Sequence, residues 1–226
     1  SDKYVRINII NTLRYLIDKN PSLISSLEST LKDKDKDVRI SATRTWVRIK
    51  KQDAITQIMA ALKDTDKDVR ASAYISLGEI TSYLSDKAKI KKIISEVTIG
   101  LKDSDKGIRN SAVNAIENIF NHLSNTDYSN NLYEKFSFGI QARDIILQLQ
   151  ASLKDSDSNV RKNAALALGH IISANLYHDP YEFFNLGVKS EDIFSALSAV
   201  LEDPEKGVRI SAANALEKIS RSTARY

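Results

Sequence analysis

The chain has 226 residues, of which 42% are hydrophobic and 27% are charged, and its formal net charge at pH 7 is +4. Cysteine is absent, which excludes disulfides, thiolate metal sites and thiol catalysis. No apolar run approaches the roughly 20 residues that span a bilayer, and no secretory signal pattern opens the sequence. We therefore predict a cytoplasmic protein without a membrane partner.

One phrase recurs along the chain with small changes, and it organises the whole sequence. A truncated copy comes first, where Val5, Arg6, Ile9, Leu13 and Leu16 fit the second half of the phrase. Complete copies follow in chain order: "LKDKDKDVRISATRTWVRI" from Leu31, "LKDTDKDVRASAYISLGEI" from Leu62, "LKDSDKGIRNSAVNAIENI" from Leu101, "LKDSDSNVRKNAALALGHI" from Leu153 and "LEDPEKGVRISAANALEKI" from Leu201.

Each copy predicts two helices joined by an Asp-rich turn. Within the phrase, apolar residues recur at i, i+4, i+8 and i+11, as in Val38, Ala42 and Trp46, which is one stripe of a helix that we call helix B. A second amphipathic stretch, such as "AITQIMAAL" at 54–62, precedes the phrase and predicts helix A. The second Asp of the turn is a natural N-cap for helix B. These predicted caps are Asp35, Asp66, Asp105 and Asp157.

The phrase resembles the short HEAT-like repeat also seen in phycobilisome lyases, with the signature L-x-D-x-D-x-x-V-R-x-x-A-x-x-x-L. The resemblance covers nearly the whole chain and implies an all-α fold. It implies a right-handed α-solenoid of about five and a half helix-hairpin repeats, with the B helices lining the concave side. It also implies a structural ladder that joins neighbouring repeats through the Asp and Arg six residues apart. The ladder residues are Asp33, Arg39, Asp64, Arg70, Asp103, Arg109, Asp155, Arg161, Asp203 and Arg209.

We predict one solenoid over residues 1–226, made of a half repeat at 1–18 and full repeats at 19–50, 51–84, 85–124, 140–175 and 190–222. Insertions at 125–139 and 176–189 separate the later repeats and are rich in aromatic residues. These side chains either cover the ends of neighbouring helices or form a patch for a partner. They are Tyr128, Tyr133, Phe136, Phe138, Tyr177, Tyr181, Phe183 and Phe184.

The aspartates of the turn invite comparison with a calcium loop of the EF-hand type, which needs Gly at position six and Glu at position twelve. Counted from Asp33, those positions hold Val38 and Arg44, so we predict no calcium site and no other metal or cofactor. The three histidines are scattered, and no phosphate loop, H-E-x-x-H or G-x-S-x-G motif is present. The sequence therefore predicts no catalytic residues and no enzyme, and His170 is interpreted as a solvated surface histidine.

The side of each B helix that faces away from the apolar stripe is mostly polar, with one basic cluster on the helix after Leu31. It is either a solvated face or a groove for a partner, since solenoids present extended binding surfaces. The residues predicted to bind a partner on this concave face are Arg44, Arg48, Lys51, Asn114, Asn118, His170, Asn214 and Lys218.

These observations favour a non-catalytic protein-interaction scaffold, expected to be a segment of a larger protein. Two alternatives remain open: a nucleic-acid-binding protein with a cleft like that of HEAT-like DNA glycosylases, and a subunit of the phycobilin lyase type. The truncated first copy also suggests self-association, because Ile9, Leu13 and Leu16 lack a partner helix.

Overall fold

The computed structural model describes residues 2–17, 19–125, 141–178 and 188–223, and within these ranges all regular structure is helical. The predicted all-α solenoid fold is confirmed. Internal contacts divide the chain into two compact units, Ser1–Ser85 and Asp86–Tyr226. We call them unit 1 and unit 2 and describe each by itself.

Unit 1 contains three B helices that pack side by side, with short A helices against two of them. Its α-helices are α1 (Lys3–Leu16), α2 (Ile24–Thr30), α3 (Lys36–Lys50), α4 (Ile55–Ala61) and α5 (Lys67–Ile80). Short 3₁₀ turns cover Pro21–Leu23, Lys51–Ala54 and Thr81–Tyr83. Helices α1, α3 and α5 are the B helices, so α3 lies between α1 and α5.

Unit 2 repeats this arrangement with longer helices. It contains α6 (Lys87–Gly100), α7 (Lys106–Asn125), α8 (Gln141–Ser152), α9 (Ser158–His178), α10 (Ser190–Ala199) and α11 (Lys206–Thr223), with a 3₁₀ turn at Val200–Glu202. The B helices are α7, α9 and α11, and α9 packs against both of the others. Each of the A helices α6, α8 and α10 packs on the B helix that follows it.

The apolar stripe of each B helix forms the core, as its spacing predicts. Val38, Ala42 and Trp46 are buried on α3, and their counterparts Val69, Ala73 and Leu77 are buried on α5. Trp46 is therefore a core residue. With one side of every B helix committed to the core, the opposite side is left for solvent or a partner.

The Asp-rich turns stop one helix and start the next by satisfying backbone N–H groups with carboxylates. The predicted N-caps are confirmed: Asp35 accepts a hydrogen bond from the backbone N–H of Asp37, and Asp66 accepts one from Asp68. Asp105 and Asp157 accept in the same way from Gly107 and Asn159.

In four of the five turns, the first Asp joins successive repeats within a unit. Its carboxylate accepts two hydrogen bonds from the Arg that recurs in helix B of the preceding repeat. The donors are Nε and Nη2 of that Arg, at distances of 2.6 to 3.0 Å. The pairs are Arg6 with Asp33, Arg39 with Asp64, Arg109 with Asp155, and Arg161 with Asp203. We call this set the ladder.

The remaining guanidinium nitrogen holds the turn of the Arg's own repeat. Nη1 of Arg39 donates to the backbone oxygens of Asp33 and Lys34 at 2.8 and 3.2 Å, and Arg109 and Arg161 do the same in their turns. Residues six apart therefore meet through the Asp carbonyl group. Arg70 and Arg209 make this contact with Asp64 and Asp203, and the carboxylate of Asp103 accepts from the N–H of Asp105.

The ladder carboxylates are only 8 to 15% exposed, so their charge depends on the arginines. Burial acts to raise the pKa of Asp64 and Asp155, but hydrogen bonds from Arg39, Arg109 and the backbone outweigh it. Each pKa consequently lies below the ordinary value of 3.8. For Asp203 the hydrogen bond from Arg161 is the largest influence, and it also lowers the pKa.

We expect Arg161→Lys to destabilise the protein by about 1–3 kcal/mol, because an ammonium group cannot reproduce the two-pronged contact with Asp203 and the bonds to two carbonyl oxygens. Urea unfolding followed by circular dichroism measures the change. The matched control is Arg221→Lys, which alters a pair with Glu217 whose side chains are 79% and 57% exposed. That control should change the free energy of unfolding by less than about 0.5 kcal/mol, and equal effects of the two variants would contradict the ladder's role.

The ladder also predicts how stability depends on pH. The folded-state pKa values of Asp33, Asp64, Asp155 and Asp203 lie below 3.8, so folding is favoured by their ionised forms. Their contribution is complete above about pH 5 and is lost as the pH falls through the folded-state values. Urea unfolding between about pH 6 and pH 2.5 should show this decline. An Asp64→Asn, Asp155→Asn variant should show a shallower decline, and identical pH profiles would count against the explanation.

Candidate interaction surfaces on the B helices

The B-helix face of unit 1 carries the predicted basic cluster on α3. Arg44 and Arg48 are exposed on the helix, and Lys51 is exposed immediately after it. None of the three forms an ion pair with a carboxylate in the part of the chain that the structure describes. Arg44 is oriented by its neighbour α5, because its Nε donates to the hydroxyl of Ser72 at 3.3 Å.

Lys51 owes its position to an unusual backbone conformation. Its φ of 49° lies in the left-handed region, which side-chain-bearing residues adopt rarely, and it begins the 3₁₀ turn after α3. Its ammonium group lies 5.9 Å from the ring centroid of Tyr83, within reach of a cation–π contact. The end of α3 and the end of α5 are thereby joined on this face.

Aromatic and apolar side chains border the basic cluster on both sides. Tyr15 on α1 stands at the repeat position of Arg48, is 63% exposed, and stacks with the guanidinium of Arg14 at 4.3 Å. On α5 the position of Arg44 is taken by Ile75, which is half-buried. Ser72 on α5 is buried, because this small side chain lies where α3 and α5 meet.

The B-helix face of unit 2 is rich in asparagine. Asn163 on α9 donates from Nδ2 to the side-chain oxygens of Asn110 and Asn114 on α7, both at 2.9 Å. Asn118 on α7 and Asn214 on α11 are exposed on the same side of their helices. The spacing identified Asn114, Asn118 and Asn214, and it could not show that Asn163 fixes the carboxamides of α7.

His170 is less exposed than the solvated surface histidine that the sequence predicted. Its side chain is 28% exposed and its Nδ1 lies 2.8 Å from Oε1 of Glu117 on α7. Lys218 follows on α11. Burial lowers its pKa below 10.5, and the charge of Glu117 offsets this only in part. Sequence reasoning missed Glu117 because it lies one residue before Asn118, outside the helix positions that were expected to face a partner. Only the packing of α7 against α9 shows that Glu117 lies beside His170.

Helices α9 and α11 approach each other closely at Gly169. A Cβ on Gly169 would lie 2.7 Å from both Cα and Cβ of Ala215, so the contact admits no side chain. His170 directly follows Gly169 and Asn214 directly precedes Ala215, so both residues adjoin this contact.

Several predicted features lie outside the described residues. The insertion aromatics Tyr128, Tyr133, Phe136, Phe138, Tyr181, Phe183 and Phe184 all fall there. Tyr177 lies in the last turn of α9, where the backbone alone is described. The proposed role of these residues stays a prediction.

The first helix exposes apolar side chains that its counterparts bury. Val5 and Ile9 are each 50% exposed, whereas Val38 and Ala42 at the same positions of α3 are buried. Leu16 is exposed as well, but Leu13 is buried in unit 1 and is not open to a second copy. Self-association through this helix stays a prediction.

We also searched the described ranges for metal sites, cavities and membrane-spanning helices. No cluster of three or more His, Asp or Glu side chains there could hold a metal ion. A cavity of about 430 Å³ lies between α8 and α10, lined by Gln150, Lys154, Asp192 and Asp203 among others. Asp203 is already bound to Arg161 in the ladder. None of the helices in these ranges is long and apolar enough to cross a membrane.

Family comparisons agree with the repeat geometry. A model of HEAT repeats matches residues 1–78. A second model, described as non-SMC mitotic condensation complex subunit 1, matches residues 51–145 and again 135–226. The chain belongs to the HEAT-repeat family. Because one model matches twice with an overlap, it reflects the repeated helix pairs. No curated protein matched the chain.

Similar solved structures are also repeat proteins. A designed armadillo repeat protein in complex with the peptide (KR)4 has a TM-score of 0.64 and 19% identity, over 96% of this chain and 91% of that one. An engineered protein has a TM-score of 0.60 and 22% identity, over 98% and 94%. A computationally designed armadillo repeat protein for modular peptide recognition has a TM-score of 0.58 and 20% identity, over 92% and 91%. At these identities the likeness concerns the fold of the HEAT-repeat chain alone.

We expect Gly169→Ala to destabilise the protein by about 1–3 kcal/mol, because the new methyl group would force α9 and α11 apart. Replacing Gly by Ala also raises helix propensity by about 1 kcal/mol, which acts in the opposite direction. This gain is smaller than the destabilisation that overpacking can cause. Urea unfolding measures the change. Gly207→Ala in α11 is the control, since the nearest atom to its new Cβ is 3.9 Å away. Stability that is unchanged or raised by Gly169→Ala would contradict the close contact.

Proposed function

We propose that this HEAT-repeat protein is a non-catalytic interaction module that holds an extended segment of a protein partner on the B-helix face of unit 2. One observation carries the proposal: the carboxamides of Asn110, Asn114 and Asn163 are held in fixed orientations across α7 and α9. We call these three residues the asparagine cluster.

A fixed carboxamide suits a peptide backbone because it offers both a hydrogen-bond donor and an acceptor. Both of the contacts that orient the cluster use Nδ2 of Asn163, which leaves its carbonyl oxygen for a partner's N–H. The amide groups of Asn110 and Asn114 remain for a partner's carbonyl oxygens. An extended chain presents such groups at regular intervals, and orientation before binding lowers the entropy cost of the complex.

Charge is consistent with recognition of a backbone in this unit. Residues 86–226 contain 18 Lys and Arg and 18 Asp and Glu, so unit 2 has no net formal charge. His170 lies on α9 seven residues after Asn163, and Lys218 lies on α11. Both would contact side chains of the bound segment. The complex of a designed armadillo repeat protein with the peptide (KR)4 supports the proposal, since a protein of similar fold binds a peptide.

The nucleic-acid alternative draws on the unpaired cations of unit 1. A cleft like that of a DNA glycosylase would need a continuous basic surface, because backbone phosphates supply most of the affinity. Arg44, Arg48 and Lys51 form only one short stripe on α3. No geometric feature of the described residues favours the phycobilin-lyase alternative.

The proposal is tested with an array of random peptides of about twelve residues, the strongest binders being measured by fluorescence anisotropy. We expect Asn114→Ala, Asn163→Ala to weaken binding about tenfold, since each lost hydrogen bond contributes about 0.5–1.5 kcal/mol. The control is Gln148→Ala, which removes a carboxamide from helix A α8 of the same unit. An array without binders, or equal affinities for both variants, would rule out peptide binding by the asparagine cluster.

A further inference from the structure

We infer that unit 1 carries a second binding surface, on α3, that takes an acidic segment of a protein partner. We call Arg44, Arg48 and Lys51 the basic stripe. The inference rests on the proposed function, in that the chain binds peptide segments, but it uses different residues in a different unit and specifies the chemistry of the partner.

The positive charge of the chain is concentrated in unit 1. Residues 1–85 contain 15 Lys and Arg against 11 Asp and Glu, whereas residues 86–226 contain equal numbers. The whole formal net charge of +4 therefore belongs to unit 1. Such a separation raises the local concentration of acidic partners and their rate of association.

Six of the eleven carboxylates of unit 1 lie in or beside its two Asp-rich turns. Asp33 and Asp64 are bound by ladder arginines, Asp37 is bound by Lys3 at 2.7 Å, and Asp68 is bound by Lys36 at 2.5 Å. Asp35 and Asp66 cap helices. The carboxylates of the turns are therefore already paired or cap helices. The basic stripe forms no ion pair with a carboxylate among the described residues.

Folding accounts for only part of this clustering, because Arg48 lies in the last turn of α3, where a cation interacts favourably with the helix dipole. Arg44 and Arg48 are spaced i, i+4 on one side of α3, and Lys51 follows the helix. Like charges at the i, i+4 spacing destabilise a helix. The ladder shows that the fold pairs cations wherever they serve stability. A bound acidic group would remove the repulsion, so the stripe is better explained by a ligand than by the fold.

The spacing suits the carboxylates of an extended peptide. A helix rises about 1.5 Å per residue, so Arg44 and Arg48 are separated by about 6 Å along α3. Alternate side chains of an extended strand lie on one side, about 6.6 Å apart. Acidic residues at alternate positions can therefore each meet one arginine, and Lys51 extends the stripe for a third.

The borders of the stripe favour a peptide over a nucleic acid. Ile75, Tyr15 and Tyr83 provide apolar contacts for aliphatic side chains between or beside the acidic ones. Glu79 on α5, at the repeat position of Arg48, and Asp53 in the turn after α3 are carboxylates at its margin. A phosphate chain carries charge at every step and would meet this repulsion, whereas a peptide can place neutral residues opposite Glu79 and Asp53.

The test uses the full chain and three labelled probes measured by fluorescence anisotropy. The first is a peptide of alternating Glu and Leu, the second has Lys in place of Glu, and the third is an oligothymidylate of similar length. We expect the acidic peptide to bind at least about tenfold more tightly than either other probe, with an affinity that falls as salt increases. Tighter binding of the oligothymidylate would overturn the inference in favour of nucleic acid.

Charge reversal locates the surface. Arg44→Glu, Arg48→Glu should weaken the acidic peptide by about tenfold or more, two lost charged contacts being sufficient for this. Lys89→Glu, Lys92→Glu on α6 makes the same change in net charge at exposed positions of unit 2 and should leave the affinity within about twofold. Equal losses in both variants would overturn the inference. Should Arg44→Glu unfold the protein, Arg48→Gln, Lys51→Gln replaces it, because neither residue makes a side-chain hydrogen bond to a described residue.

The two proposals fail in distinguishable ways. An array binder that loses affinity with Asn114→Ala, Asn163→Ala, together with no binding of the acidic peptide, would remove this inference and keep the proposed function. Binding of the acidic peptide that responds to the basic stripe and not to the asparagine variants would support this inference independently. Failure of every peptide would remove both.

Discussion

The contact on which the structure depends is the two-pronged hydrogen bond from an arginine of one repeat to the first aspartate of the next. A carboxylate this buried is tolerable only when it is paired. The same guanidinium also donates to carbonyl oxygens in its own turn, so one side chain fixes two turns at once. Within each unit this fixes the spacing of neighbouring B helices, and therefore the side chains that stand together on their exposed faces.

The ladder also separates structural charge from charge that is left for binding. Carboxylates are gathered in the turns, where they cap helices and bind arginine or lysine. What remains on the B helices differs between the units: cations bordered by tyrosine in unit 1, and ordered carboxamides with one His–Glu contact in unit 2. The two proposed binding faces therefore differ in chemistry, although the same repeat builds both.

The observations that establish the fold differ from those on which the proposed function rests. The family matches and the designed repeat proteins of similar structure concern the helix pairs, which many unrelated binding surfaces share. The inferred specificity comes from residues that vary between copies of the repeat, such as Arg48, Glu79 and Asn118 at one position of three helices. Those positions do no work in the core, so their chemistry is free to serve a partner.

The sequence by itself determined the helix pairs, the buried stripe and the aspartate caps, because each depends on residues within about a dozen positions of one another. Only the tertiary structure decided which side chains meet across repeats. The carboxylate of Asp33 is bound by Arg6, whereas Arg39 donates to the backbone oxygen of Asp33. His170 lies against Glu117, and Ser72 is buried between two helices. The contacts across repeats join residues 27 to 53 positions apart, and they depend on how one helix is set against the next, which periodicity does not specify.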